Sequence, residues 1–187
     1  MSRETDLPRA TAHRLAVALE EHGLVRRDGN GRFCLGFELI ALGRAAADAF
    51  PLADIGRPLL VDLRNATGES VQLFVREGDE RRCVLSLQSP HGLRWIVPEG
   101  ARLPLGVGSA GRVLAGGAAG VVESVEEREP GVASVSAAVR SSDGVVIAAV
   151  SVSGPVERLT RQPALKFGDA VHDCAEAVAR ACATAGL

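Results

Sequence analysis

Aromatic residues are scarce in this chain: they make up 3% of 187 residues, with five Phe, one Trp and no Tyr. A membrane-spanning stretch is missing, because no apolar run is long enough. So is a secretory leader at the N-terminus. Paired cysteines are missing too: Cys34, Cys83, Cys174 and Cys182 form no C-x-x-C and have no histidine at zinc-finger spacing. That excludes a zinc ribbon and fits small buried hydrophobes in a reducing cytoplasm. Large net charge is absent, at −2, so the chain as a whole is no polyanion binder. Any DNA contact must come from local segregation of charge. No catalytic constellation is present. His13, His22, His91 and His172 are far apart in the chain, and Ser109 lacks the G-x-S-x-G elbow because Val107 stands where its first glycine belongs. The chain is therefore not expected to be an enzyme, nor to hold a metal ion or cofactor.

What is there is apolar material, 47% of the residues, enough for one domain of ordinary size and a small one. After a turn at Thr5-Asp6-Leu7, Pro8 suits the first position of a helix. Ala12, Leu15, Ala16 and Leu19 recur at helical spacing as one buried stripe. Arg9, Thr11, His13 and Arg14 fall outside that stripe, in the first turns, where a DNA-reading helix meets bases and phosphates. Gly23 ends the helix. Residues 24–27 then alternate as a strand, Asp28-Gly29-Asn30-Gly31 is a tight-turn signal, and 32–35 return as the second strand. Arg26, Arg27 and Arg32 gather on this hairpin. Charge of this kind can simply be a solvated face. The order of parts, basic helix then basic hairpin, is that of a recognition helix and wing in a winged helix-turn-helix.

Residues 37–50 read as another helix, with Phe37, Ile40, Ala41, Ala45 and Ala47 on one stripe and Pro51 as its stop. A third helix is expected at 52–66, with Ile55, Leu59, Leu60 and Leu63 on one face and Thr67-Gly68 at its end; Pro58 bends its first turn or marks its start. From Glu69 the period changes to two. Strands are expected at 70–75, 82–87 and 93–97, then a short helix at 112–115 and a strand near Ser124. A hairpin follows, 132–139 and 145–153 around Ser141-Ser142-Asp143-Gly144. The last helix, 164–184, buries Ala170, Val171, Cys174, Val178 and Ala181. Strands bracketed by helices give an α+β fold.

Gly106-x-Gly108-x-x-Gly111 matches a dinucleotide fingerprint in form only, since no βαβ context or acid at the right spacing accompanies it. Its N–H groups suit a carboxylate or a phosphate. Alternate strand residues share a face, so Ser134 lies with Ser136 and Ser151 with Ser153. Val135, Ala137 and Val139, and Val146, Val150 and Val152, take the opposite, core-facing sides. Such hydroxyls bind a small polar ligand or are merely hydrated. Neutral serines, in place of fixed charges, favour a neutral or zwitterionic ligand, with Leu93 and Trp95 as an apolar wall.

Residues 5–15, 22–25 and 31–36, together with 127–135 and Val150-Ser151-Val152-Ser153-Gly154-Pro155, resemble the IclR family of bacterial transcriptional regulators. Their wording is similar to an actinobacterial branch that regulates amino-acid biosynthesis, leucine included. The resemblance implies a winged helix-turn-helix at 1–36, a linker and dimerisation helix at 37–51, and a GAF-like effector domain with an antiparallel sheet flanked by helices at 52–187. It also implies an incomplete chain. Two helices should precede the recognition helix, where only Ser2 to Thr5 remain, and a helical stretch is skipped near 115–120. The DNA-binding residues would be Arg9, Thr11, His13, Arg14, Arg26, Arg27 and Arg32. Carried over from the family, the effector site would be Ser109, Ala110, Ser124, Ser134, Ser151 and Ser153. Some members have an acid at the position of Ser124 and a cysteine at that of Ser134, so the effector is expected to differ from glyoxylate and pyruvate. Double-stranded DNA, a small carboxylate or amino acid, and a second copy of the chain, as a dimer or dimer of dimers, are the implied partners. The competing reading is a hydrolase or transferase using Ser109 in the 106–111 loop.

Overall fold

Helix α1 (Arg9–Glu21) starts one residue after Pro8, whose carbonyl takes the Ala12 N–H. The computed structural model describes residues 7–49, 51–116 and 120–187. Thr5 and Asp6 of the expected first turn, Phe50 at the expected end of the second helix, and 117–119 lie outside them. The C-terminus of α1 closes as a Schellman turn: the Gly23 N–H bonds the Glu20 carbonyl and the Leu24 N–H bonds that of Leu19. Strands β1 (Val25–Arg27) and β2 (Phe33–Leu35) pair antiparallel across the Asp28–Gly31 turn. The Asp28 carboxylate organises that turn by accepting the Asn30 and Arg32 N–H groups, both at 2.9 Å. Helix α2 (Glu38–Ala49) follows, its described side chains all exposed. The expected stripe of α1 is half realised. Ala12 and Ala16 are buried, whereas Leu15 and Leu19 are exposed, because no described element lies over them.

The chain divides into two compact units, Met1–Pro51 and Leu52–Leu187. The second opens with α3 (Leu52–Thr67), which buries Leu52, Gly56, Leu60 and Leu63. Pro58 neither starts nor ends it. Pro58 is exposed on the outer side of the helix, where the bond lost from its missing N–H costs least. Strands β3 (Ser70–Glu77), β4 (Glu80–Leu87), β5 (Arg102–Pro104), β6 (Val121–Val125), β7 (Val132–Arg140) and β8 (Val146–Pro155) form one antiparallel sheet in the order β5-β4-β3-β8-β7-β6. Helix α4 (Ser109–Leu114) sits between β5 and β6 in sequence, and the single turn α5 (Val156–Leu159) leads to α6 (Pro163–Thr184). One sheet face packs on α3 and α6 through Leu60, Leu73, Leu85, Val135, Val150, Val152, Val171 and Val178. The other carries a smaller cluster with α4, built from Phe74, Cys83, Val97, Leu105, Val113 and Ala149.

Three expectations need correction. Residues 93–97 form no strand. The edge of β4 is taken instead by the chain at 100–104, with the Cys83 N–H on the Ala101 carbonyl and β5 beyond it. The 93–97 segment is tied down by side chains: Ser70 Oγ donates to the Trp95 carbonyl at 2.7 Å, and Arg94 bonds the His91 and Gly92 carbonyls. Second, Val146 does not share the core face of Val150 and Val152. Pairing shifts from Val139↔Ala148 to Arg140↔Val146, so the bulge at Ile147 turns Val146 to the α4 side. Third, α4 begins at Ser109 rather than Arg112, which puts Ser109 and Ala110 inside the helix. In α6, Ala175 and Cys182 are buried beside Val171, Cys174 and Val178, while Ala170 and Ala181 are only half-buried.

Candidate functional site

The α4 face of the central sheet is not apolar throughout. Pairing aligns Ser124 of β6, Ser134 of β7, Ser153 of β8 and Ser70 of β3 in one transverse row. The next row joins Ser136, Ser151 and Gln72. Side chains on one sheet face are 4.5–5.5 Å apart across paired strands, so this is a continuous polar floor. Ser109, the first residue of α4, lies against it, its Oγ 2.7 Å from both the Ser134 and the Ser136 Oγ. Ser153 Oγ donates to Gln72 Oε1 at 2.8 Å. Gln72 Nε2, on a residue only 1% exposed, has no hydrogen-bond partner among the described residues.

Above the floor opens a cleft with an empty volume of about 410 Å³, its mouth included. Ser109, Ala110, Ser124, Ser134, Ser151 and Ser153 all line it, so the six expected effector residues come together. Four lining residues fell outside the expected set and change its character: Gln72, Phe74, Arg81 and Arg128. Trp95 and Val97 form a wall; Leu93 is exposed and does not line it.

Arg81 is 2% exposed and has no carboxylate partner among the described residues. Its Nη1 donates to the carbonyls of Pro104 and Val107, and its Nε is unpaired. Its guanidinium lies 5.5 Å from the Phe74 ring centre. Burial first, and then the Arg128 charge, push its pKa down to about 10. Arg128, on the β6–β7 connection, stacks 4.8 Å from the Trp95 ring centre, and burial lowers its pKa too. No Asp or Glu lines the cleft. The nearby Glu127 accepts from Arg112 Nη1 at 2.7 Å and from the Gly108 N–H at 3.2 Å. Two arginines join the neutral serines expected from the strands: Arg81, with no carboxylate partner among the described residues, and Arg128, with Glu129 as its acidic neighbour. Position in the fold explains the miss: strand periodicity marks neither an arginine under a loop nor one on a connection.

Two of the three glycines of 106–111 pack against Arg81, whereas Gly106 stands in open space. A Cβ on Gly111 would stand 2.1 Å from the Leu105 carbonyl oxygen and 2.5 Å from Arg81 Nη1, and Gly108 has φ +80°. Close packing against the Leu105 backbone and Arg81 thus accounts for Gly111. The free N–H groups expected there are also fewer, since Glu127 takes that of Gly108.

In the first unit Arg9, His13 and Arg14 are exposed on the first turns of α1 and Thr11 is half-buried beside them. The residue at the N-cap of α1, Pro8, offers no side-chain cap. The hairpin arginines are unequal. Arg27 pairs with Glu20 at 3.2 Å and stacks on Phe33, Arg32 pairs with Asp28 at 3.3 Å, and Arg26 lies over Phe37.

Sequence comparison accounts for both units. The profile described as bacterial transcriptional regulator IclR C-terminal matches 44–119 and 117–180, and the IclR helix-turn-helix domain matches 1–29. The chain belongs to the IclR family. The glycerol operon regulatory protein of Streptomyces coelicolor is 29% identical over 212 residues, covering 93% of this chain and 84% of that protein. KipR, an HTH-type transcriptional regulator of Bacillus subtilis, is 31% identical over 110 residues, 59% of this chain; that match spans 44% of KipR. Thermotoga maritima IclR shares the fold with a TM-score of 0.75 at 21% identity, over 96% of this chain and 87% of that one. An IclR homologue of Microbacterium hydrocarbonoxydans, solved with 4-hydroxybenzoate, gives 0.83 at 22% identity over 98% and 89%. As an IclR-family member the protein is a transcriptional regulator with a helix-turn-helix region, not an enzyme, and the hydrolase or transferase reading is set aside. No helix among the described residues is long and apolar enough to cross a membrane.

Proposed function

We propose that the first unit binds duplex DNA and the second senses a small carboxylate metabolite or amino acid in the cleft, in the cytoplasm. The observation that supports this most is the polar floor beneath the cleft, with two buried donors, Gln72 Nε2 and Arg81 Nε, left unpaired on residues that line it. Ser109, Ala110, Ser124, Ser134, Ser151 and Ser153 would contact the effector. A relative of the same fold was solved with 4-hydroxybenzoate, itself a small carboxylate. Arg9, Thr11, His13 and Arg14 would enter the major groove, with Arg26 and, after releasing their acids, Arg27 and Arg32 on flanking phosphates. Copies would pair through α2, whose Leu39, Ile40 and Leu42 are exposed. The test is to select duplexes from a random pool, then titrate carboxylates and amino acids into the complex. A ligand that occupies the cleft must change the DNA affinity. One that binds without changing it overturns the sensor reading.

A further inference from the structure

We propose that Arg128 and Gln72 select the effector as an organic anion without an ammonium group, with Trp95 as the platform for its apolar body. The inference rests on the sensor reading above and narrows it. Gln72 Nε2 and Arg81 Nε are buried donors with no partner, a costly state that an acceptor entering the cleft relieves. Arg81 meets only neutral carbonyls among the described residues, so its charge is uncompensated, and Arg128, whose acidic neighbour Glu129 is exposed and outside the lining, adds a second cation beside it. An anion offsets both charges. An ammonium would be a third cation, with no carboxylate in the lining to receive it, because Glu127 is committed to Arg112 and Gly108. Arg81 is pinned under the 104–107 loop by its carbonyl bonds, whereas Arg128 stands at the cleft with its guanidinium over Trp95 and no recorded hydrogen bond. Arg128 is thus the arginine able to turn onto a ligand.

The chain has one Trp and no Tyr, so its fluorescence on excitation of indole comes from Trp95 in the cleft wall. Two probe pairs separate charge from shape: leucine against 2-hydroxy-4-methylpentanoate, its skeleton with hydroxyl in place of ammonium, and 4-hydroxybenzamide against 4-hydroxybenzoate. In titrations of the full chain the acid of at least one pair should bind, at least roughly tenfold tighter than its counterpart. Arg128→Gln should weaken that acid at least roughly tenfold, and Gln72→Glu more, with Trp95 fluorescence and calorimetry agreeing. If Arg128→Gln does not melt cooperatively, Arg128→Lys decides in its place. It keeps the charge but loses the planar fork, so the acid should weaken at least about threefold. Equal binding of acid and counterpart, an unchanged affinity in a folded variant, or no binding by either acid overturns the proposal. Leucine or the amide binding and altering DNA affinity would sink the anion selection while leaving the sensor reading intact. An acid that binds as described without touching DNA affinity would do the reverse.

Discussion

In the second unit Leu52, Leu60, Leu73, Leu85, Val135, Val150 and Val152 are sealed between the sheet and two helices. In the first, Ala12 and Ala16 are the only buried hydrophobic side chains among the described residues, while Leu35, Phe37, Ile40 and Leu42 stand exposed. Charge is distributed the opposite way. The first unit keeps its described arginines outside, three of them on ring faces or acids, whereas the second buries Arg81 and half-buries Arg128. A fully buried leucine contributes about 1.5–3 kcal/mol, so folding free energy is concentrated in the second unit. The first is a presentation surface, apolar on α2 and cationic on α1 and the hairpin.

The sharpest way to break this contrast is to cut both units equally. Leu60→Ala should destabilise the chain by about 2–5 kcal/mol in urea titration, because α3 and the sheet cannot collapse into the void. Ile40→Ala should cost under about 0.5 kcal/mol in the monomer. An equal loss at both sites would show that α2 is packed after all.

Next comes the ion pair that closes the second unit. Glu69 is buried and accepts from Arg158 Nε and, at 2.9 Å, from Nη2, which also holds the Leu93 carbonyl. Arg158→Ala leaves a buried carboxylate unpaired and should cost about 3 kcal/mol, with Glu69→Gln in the same chain restoring part of it. A double variant no better than the single one would mean the pair contributes packing rather than charge.

Smaller effects are expected in the first unit, and on binding rather than stability. Arg14→Ala should cost about 1–3 kcal/mol in DNA affinity if it reads a base, and relax sequence preference there. Arg26→Ala should weaken all sequences alike and flatten the salt dependence by about one unit of slope. Gel-shift affinity unmoved by Arg14→Ala would remove α1 from the interface.

The mildest test is chemical labelling at pH 8. Burial pushes Cys83 and Cys174 up to about 12 and raises Cys182, so these thiols should resist iodoacetamide until the second unit unfolds. Cys34, half-buried on β2, should react first. Mass spectrometry finding Cys83 modified alongside Cys34 would mean that the second unit opens as easily as the first.

Local signals read well from the sequence. The hairpin was legible because Asp28-Gly29-Asn30-Gly31 encodes its own turn, and β7 and β8 because serine and valine alternate at 134–136 and 150–153. The helices that pack on the sheet were legible from Leu60, Leu63, Val171 and Val178. What failed was everything fixed by a distant partner. Residues 93–97 alternate like a strand, yet their place is set by Ser70 and Arg158 from elsewhere in the chain. Half of the polar floor was visible as Ser-x-Ser on two strands. Gln72, Arg81 and Arg128 were not, because their role depends on which strands neighbour which and on where a connection crosses.

The Ser134–Ser109–Ser136 contacts have a consequence of their own. Each hydroxyl has one proton, so the chain of three can run in either of two directions. An acceptor placed beside Ser134 draws that proton outward, which obliges Ser109 to donate to Ser134 and Ser136 to Ser109. A donor in the same place reverses all three. The direction of this hydroxyl chain is therefore set by the polarity of whatever group stands beside Ser134, and it reaches the first residue of α4 without any heavy atom having to move.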